Sequence, residues 1–210
     1  IGQVNQTKQA AIIRTTNGGQ AWNTVMQDYC YIINLNFPSF TTGYAIGFKS
    51  LVLNGGSYHL KLFKTTNSGI IWDSIPNPYY MPCQSMCFLN DTTGFIISDS
   101  SLFGRVLKTT NGGISWNNIG NLIGNYHTQI SFINSNTGIA ISDFSLQKTT
   151  NGGNNWIEYN PKPETGNNIF NVQFIDQENI FCSGYGGLLA KSTNGGVNWI
   201  NKTNNYDFNS

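Results

Sequence analysis

One eight-residue phrase occurs five times in this chain. It reads Thr-Thr-Asn-Gly-Gly-Gln-Ala-Trp at 15–22, Thr-Thr-Asn-Ser-Gly-Ile-Ile-Trp at 65–72 and Thr-Thr-Asn-Gly-Gly-Ile-Ser-Trp at 109–116. It returns as Thr-Thr-Asn-Gly-Gly-Asn-Asn-Trp at 149–156 and Ser-Thr-Asn-Gly-Gly-Val-Asn-Trp at 192–199. All five tryptophans of the 210-residue chain end such a phrase, 40–50 residues apart. A period of that size on a strand-rich sequence means a propeller or a solenoid, in which each repeat buries its apolar face only against a neighbour. No other feature narrows the fold so far.

Each repeat also carries an upstream signature. The runs at 34–47, 85–98, 129–142 and 171–183 align, each with two apolar stretches around a polar turn of Asn, Asp, Thr or Gly. That pattern reads as a hairpin, strands A and B. The run before the repeated phrase, such as Arg-Val-Leu-Lys at 105–108, is then strand C, and strand D starts at the Trp. Asn-Gly supplies positive φ at low cost, so the phrase is expected to close a tight two-residue C–D hairpin turn. Asn67-Ser68 is the one departure. The Trp is expected to lie as a wedge against a neighbouring repeat, burying a large apolar area.

The phrase resembles the Asp-box, or bacterial neuraminidase repeat, Ser/Thr-x-Asp-x-Gly-x-x-Trp, with Asn in place of Asp in every copy. The matching residues are Thr15, Asn17, Gly19 and Trp22; Thr65, Asn67, Gly69 and Trp72; and Thr109, Asn111, Gly113 and Trp116. Thr149, Asn151, Gly153 and Trp156, then Ser192, Asn194, Gly196 and Trp199, complete the set. The variant is most similar to propellers related to the photosystem II stability/assembly factor family. The resemblance covers nearly the whole chain and implies an all-β β-propeller of four-stranded antiparallel blades. Such domains are common in exported bacterial proteins, which implies a secreted, periplasmic or cell-surface location. Boxes of this kind occur in enzymes and in pure binding modules, so the resemblance leaves function open.

Five blades are expected: 1–30 plus 204–210, then 31–76, 77–120, 121–160 and 161–203. Residues 1–5 supply strand B of the first blade, and its strand A comes from the C-terminal Asn-Tyr-Asp-Phe-Asn-Ser. There Phe208 falls where Phe88, Phe132 and Phe174 stand in other repeats. A closing strand of that kind protects sheet edges. The spacing from Trp199 to Phe208 is shorter than its counterparts, and a larger ring of which this chain is a part is the alternative.

In an A-B-C-D meander the A–B and C–D turns share one end of the ring, and the B–C and D–A connections gather at the other. The second end collects Tyr58 and His59, Tyr79 and Tyr80, and Tyr126 and His127. Asp99, Asp143 and Tyr185 close strand B in three blades. Tyr and His among Asn and Gly suit a recognition surface on a rigid scaffold, and the plainer alternative is loop packing and turn capping. The two histidines belong to different repeats and make no metal or acid–base pair. No cofactor and no metal are expected.

Composition excludes some classes. Net charge is +1, from scattered single charges, which gives nucleic acid no basic footprint. No apolar run approaches the roughly 20 residues that span a bilayer. Only 10% of residues are charged, but 13% aromatics and regular apolar runs argue for a packed core. A sialidase grips its substrate carboxylate with three arginines, and this chain has Arg14 and Arg105 alone. Arg14 occupies the repeat position held elsewhere by Lys64, Lys108, Lys148 and Lys191. The other enzymatic relatives the resemblance implies are xyloglucanase-like hydrolases with opposed carboxylates, for which Asp99 and Asp143 are the one repeat-equivalent pair. Inverting hydrolysis needs such carboxyls roughly 6.5–9.5 Å apart. The reading that results is a non-catalytic propeller binding a protein or glycan, with a glycoside hydrolase as the alternative. Cys83 and Cys87 are either free thiols or a local disulfide, and Cys182 reads as a small core residue.

Overall fold

The computed structural model describes residues 10–28, 30–51, 57–76, 83–100, 103–122, 129–141, 146–159 and 169–202. Eighteen strands and one 3-10 turn make up these segments. β1 (Ala10–Arg14) and β2 (Asn23–Asp28) form a two-stranded sheet. Four antiparallel sheets of four strands follow in chain order, each a meander. The first runs β3 (Tyr31–Asn36), β4 (Gly43–Leu51), β5 (Ser57–Thr65) and β6 (Asp73–Ile75). The next runs β7 (Cys83–Phe88), β8 (Gly94–Ser100), β9 (Phe103–Thr109) and β10 (Asn117–Leu122). Then come β11 (Gln129–Phe132), β12 (Gly138–Ile141), β13 (Leu146–Thr149) and β14 (Ile157–Tyr159). The last has β15 (Ile169–Phe174), β16 (Ile180–Gly184), β17 (Leu189–Ser192) and β18 (Ile200–Asn201), with the 3-10 turn at Tyr185–Gly187. The expected A, B, C and D strands are therefore present in each complete sheet. Residues 1–9, 203–210 and the remaining connections lie outside the described residues, and with them the expected closing strand.

In the first three complete sheets the second strand is the most buried. Ala45 and Ile46, Phe95 to Ile97, and Ile139 to Ile141 are inaccessible to solvent. Strands covered on both faces read as continuous apolar runs, which is why this element is so plain in the sequence. First strands pack on first strands of the next sheet, β3 on β7, β7 on β11 and β11 on β15. The core is therefore divided into four clusters, three of them lying between successive complete sheets. One joins Tyr44, Ile46, Leu60 and Leu62 to Met86, Phe88, Ile96, Leu107 and Trp116.

Glycine opens the second strand for a steric reason in three sheets. A Cβ on Gly43, Gly94 or Gly138 would run into the ring of Phe37, Phe88 or Phe132 respectively. The phenylalanine ending the first strand thus lies flat over the start of the second. The A–B turn between them is tied by one side chain. Asn90 Oδ1 accepts the N–H groups of Thr92 and Thr93, and Asn134 and Asp176 do the same in the next two sheets.

Candidate functional site

The repeated phrase forms a seven-residue loop, 110–116 in the second complete sheet, rather than the expected two-residue hairpin turn. Thr109 ends β9 and is fully buried, and its Oγ accepts the N–H of Gly113 at 2.9 Å and of Asn111 at 3.3 Å. The hydroxyl donates to Asn111 Oδ1, which also accepts the N–H of Ser115 at 2.9 Å. The same bonds recur from Thr15, Thr65, Thr149 and Ser192.

Positive φ falls on the glycine pair and not on the asparagine: Gly112 has 70° and Gly113 87°. Asparagine therefore acts as an acceptor for an N–H four residues on. One carboxamide oxygen suffices for that, so Asn replaces the Asp of the family pattern without loss of function. Ser68 holds the first glycine position at φ 60°, a left-handed conformation costly to a residue with a Cβ. The turn also grips the A–B loop, since Gly112 N–H donates to Thr92 O, as Ser68 does to Thr41, Gly152 to Asn136 and Gly195 to Glu178. Both turns thus share one end of the molecule, as the meander requires.

The tryptophan ends the loop, and strand D starts one residue later. Trp72, Trp116 and Trp156 are buried, each meeting edge-on the phenylalanine of its own first strand, Phe37, Phe88 or Phe132, at 5.8–5.9 Å. Trp199 packs against the cluster of the last sheet. Trp22 departs from the expected wedge and is 55% exposed. Neighbouring sheets are also linked by the cation at the end of strand C. Arg14 Nε donates to Ser68 O at 2.9 Å and Lys148 Nζ to Gly195 O, each reaching the turn of the next sheet. Burial lowers the pKa of Lys148, with Glu178 opposing. Lys64, Lys108 and Lys191 lie over the rings of Tyr44, Phe95 and Phe181 at 5.2–5.5 Å. This cationic slot is structural, which the shared repeat position of Arg14 and the four lysines already implied.

At the opposite end, Tyr58 and His59 were expected in a loop and instead lie in β5. They pair with Ser50 and Lys49 of β4, because the hairpin extends to Leu51 and Ser57. Asp99 is the second-last residue of β8, opposite Gly104. Tyr185 starts the 3-10 turn and is 68% exposed. Tyr79, Tyr80, Tyr126, His127 and Asp143 lie outside the described residues. The structure therefore does not bring the expected face together as one geometry.

The Cys83–Cys87 disulfide is excluded by strand geometry. Both thiols are free and both residues lie on β7. Four residues of strand span about 13 Å, whereas bridged Cα atoms are within about 7 Å. Cys87 Sγ instead accepts the N–H of Phe132 from the next sheet at 3.4 Å. Cys182 is buried in the core, as expected. Among the described residues no three His, Cys, Asp or Glu side chains cluster as metal ligands would.

What the sequence did not reveal is an apolar patch on the turn end of the first complete sheet. Phe40 is 89% exposed and Ile71 57%. The aligned positions are Asp91, Ser135 and Gln177 for Phe40, and Ala21, Ser115, Asn155 and Asn198 for Ile71. Comparing repeats position by position was the signal that could have found it.

Stacked four-stranded meanders with one turn-and-Trp motif per sheet have counterparts among solved structures. YCF48 bound to D1 peptide matches with a TM-score of 0.51 at 14% identity, over 83% of this chain and 82% of that one. YCF48 from Cyanidioschyzon merolae matches at 0.56 and 16%, over 91% and 78%. The Niastella koreensis GH74 enzyme matches at 0.66 and 16%, over 84% of this chain but 30% of its own length. The fold is propeller-like. At these identities the likeness shows fold alone. No family model and no curated protein matches the sequence.

Proposed function

We propose that this chain is a non-catalytic, exported binding propeller that holds a protein partner on the end opposite its box turns. The observation that carries the reading is a contrast between the two ends. The complete sheets have box loops of uniform length, 66–72, 110–116, 150–156 and 193–199, closed by their own hydrogen bonds. The connections at the other end run from the two residues 101–102 to the nine of 160–168. Variation confined to one end of a uniform scaffold is how a recognition surface is built on a rigid frame. Tyrosine suits it, since hot spots favour large side chains that lose little entropy on binding. YCF48 was solved with a peptide bound, which favours a protein over a glycan as the partner class here.

The test is a double Tyr79→Ala, Tyr80→Ala variant, which should weaken a partner by more than about tenfold with folding unchanged, as the loss of a hot spot predicts. Asp99→Asn should leave binding unchanged. If that substitution instead abolishes turnover of a β-glucan, the chain is a hydrolase, the reading that the GH74 likeness favours. The exposed Phe40 and Ile71 support a second reading, with the partner seated on the turn end. Phe40→Ser with Ile71→Asn would then weaken the partner, and cross-links would map beside these residues.

A further inference from the structure

The turn end of the first complete sheet departs from a pattern that the other repeats keep. Just before the tryptophan, the other box loops carry Gln20-Ala21, Ile114-Ser115, Asn154-Asn155 and Val197-Asn198. This one carries two large apolar residues, Ile70 and Ile71. The tip of its A–B turn is Phe40, where its neighbours have Asp91, Ser135 and Gln177. All three apolar side chains are exposed, Phe40 the most.

The ring is exposed on a loop that is firmly held. Thr42 N–H donates to Ser39 Oγ at 3.1 Å, and Ser68 N–H of the box loop donates to Thr41 O at 2.8 Å. The hydroxyls of Ser39 and Thr42 bond the Asp91 carboxylate of the next sheet and hold it below the usual carboxylate range. The polar groups around Phe40 are thus engaged, and the side chain left outside is the apolar one. The Ser68 bond also ties the Phe40 turn to the loop of Ile70 and Ile71, so the three share one surface. Such a surface is ordered before a partner arrives, which spares the entropy of ordering it on binding.

Charge gives the surface a polarity. Asp91 is exposed at its flank, and among the described residues no cation is within ion-pair distance of that carboxylate. Lys64 acts on it from further away and lies over the Tyr44 ring. Arg14, on the side of the first blade, is already bound through Nε to Ser68 O. Size gives the kind of occupant. One aromatic and two isoleucines make a patch of a few hundred Å², well short of the roughly 800 Å² per partner in a standard interface. A second copy seated here would lack area and would set Asp91 near its own mate. A short segment needs less area and can bring a cation.

We propose that this surface docks a short linear segment of a protein partner, with aliphatic side chains on Phe40, Ile70 and Ile71 and a Lys or Arg beside Asp91. The cation also gains from the face of the Phe40 ring. The proposal names the partner class for the turn-end reading given above and rests on that reading. It is independent of the tyrosine-bearing end.

The test is selection of the folded chain against a phage-displayed library of random dodecapeptides, with one selected peptide then synthesised and titrated. Selected peptides should be rich in Leu, Ile or Val next to Lys or Arg. Phe40→Ser should weaken the peptide by more than about tenfold, as loss of a hot spot does, and so should Ile70→Asn with Ile71→Asn. Both variants carry the residues of the aligned turns in the third complete sheet, Ser135, Asn154 and Asn155, so the fold tolerates them. Asp91→Asn should weaken the peptide severalfold and remove most of its salt dependence. A selection without binders, or equal affinity for the parent and the Phe40→Ser variant, overturns the proposal. Peptides that need Phe40 but carry no cation overturn the partner chemistry and keep the turn-end reading. Peptides lost with Tyr79→Ala, Tyr80→Ala and kept with Phe40→Ser overturn it in favour of the opposite end. Phe40-dependent binding to phosphatidylcholine–phosphatidylserine vesicles, or Phe40-dependent dimers of the chain, overturns it in favour of a lipid surface or a second copy.

Discussion

The hydroxyl of Thr109 holds three bonds in a place that water does not reach, and the same hydroxyl of Thr15 holds them at a half-buried position. Thr109→Val should therefore cost about 1–3 kcal/mol, the penalty for orphaned buried donors. Thr15→Val should cost less, since water reaches that half-buried position in part. Urea titration of the two variants checks the contrast. Ser68 shows the opposite case, a side chain the backbone would do better without. Ser68→Gly should stabilise by up to about 1 kcal/mol, with left-handed strain relieved and some unfolded-state entropy returned. Asp176 carries a pH dependence. The N–H and side-chain amide of Asn179 and the N–H of Glu178 hold its carboxyl below the usual range. Because the folded pKa is depressed, the stabilisation is present above about pH 4 and is lost as pH falls through the folded value. Asp176→Asn should flatten the acid limb of the unfolding curve, measured by circular dichroism against pH.

At the scale of elements, the unit is a phenylalanine between two neighbours. Phe88 stacks on Tyr44 of the preceding sheet and meets Trp116 of its own, and Gly94 leaves room for its ring. One side chain thus couples the register of a hairpin, a box turn and the preceding sheet. Trp116→Ala should cost about 3–5 kcal/mol by chemical denaturation, as large buried aromatics do. A cost under about 1 kcal/mol would show that the indole is not a keystone of this junction.

For the whole molecule, the four cysteines act as natural reporters. Cys30, Cys83 and Cys182 belong to three core clusters, and Cys87 packs against the fourth. Burial pushes the thiols of Cys30 and Cys182 up to about 11 and raises that of Cys87 as well. Thiolate is the reactive form, so the native chain should release almost no fast-reacting thiol at neutral pH. The denatured chain should release four, and a value of two would signal a disulfide. In a repeat architecture the junctions open semi-independently. Cys30 should then label first under mild denaturant, since its cluster adjoins the two-stranded sheet.

The repeated phrase determined the strand plan by itself, because each strand lies in the same local and nearest-neighbour surroundings in every repeat. Polar turns, glycines and buried second strands all keep their spacing, and their positions could be read directly. The sequence misled on the turn itself. Asn-Gly and Gly-Gly both invite positive φ, and only the fate of the Thr109 and Asn111 side chains decides which pair takes it. The cysteine spacing misled in the same way, since residues four apart can meet in a loop and cannot on β7. The sequence shows Tyr58 and His59 as loop because the extra length of the β4–β5 hairpin has no counterpart in the other repeats. Exposure of Trp22 was also invisible from the chain, as identical residues differ only in what stands beside them. Local chemistry sets a repeat, and the contacts that distinguish one repeat from another are made between them.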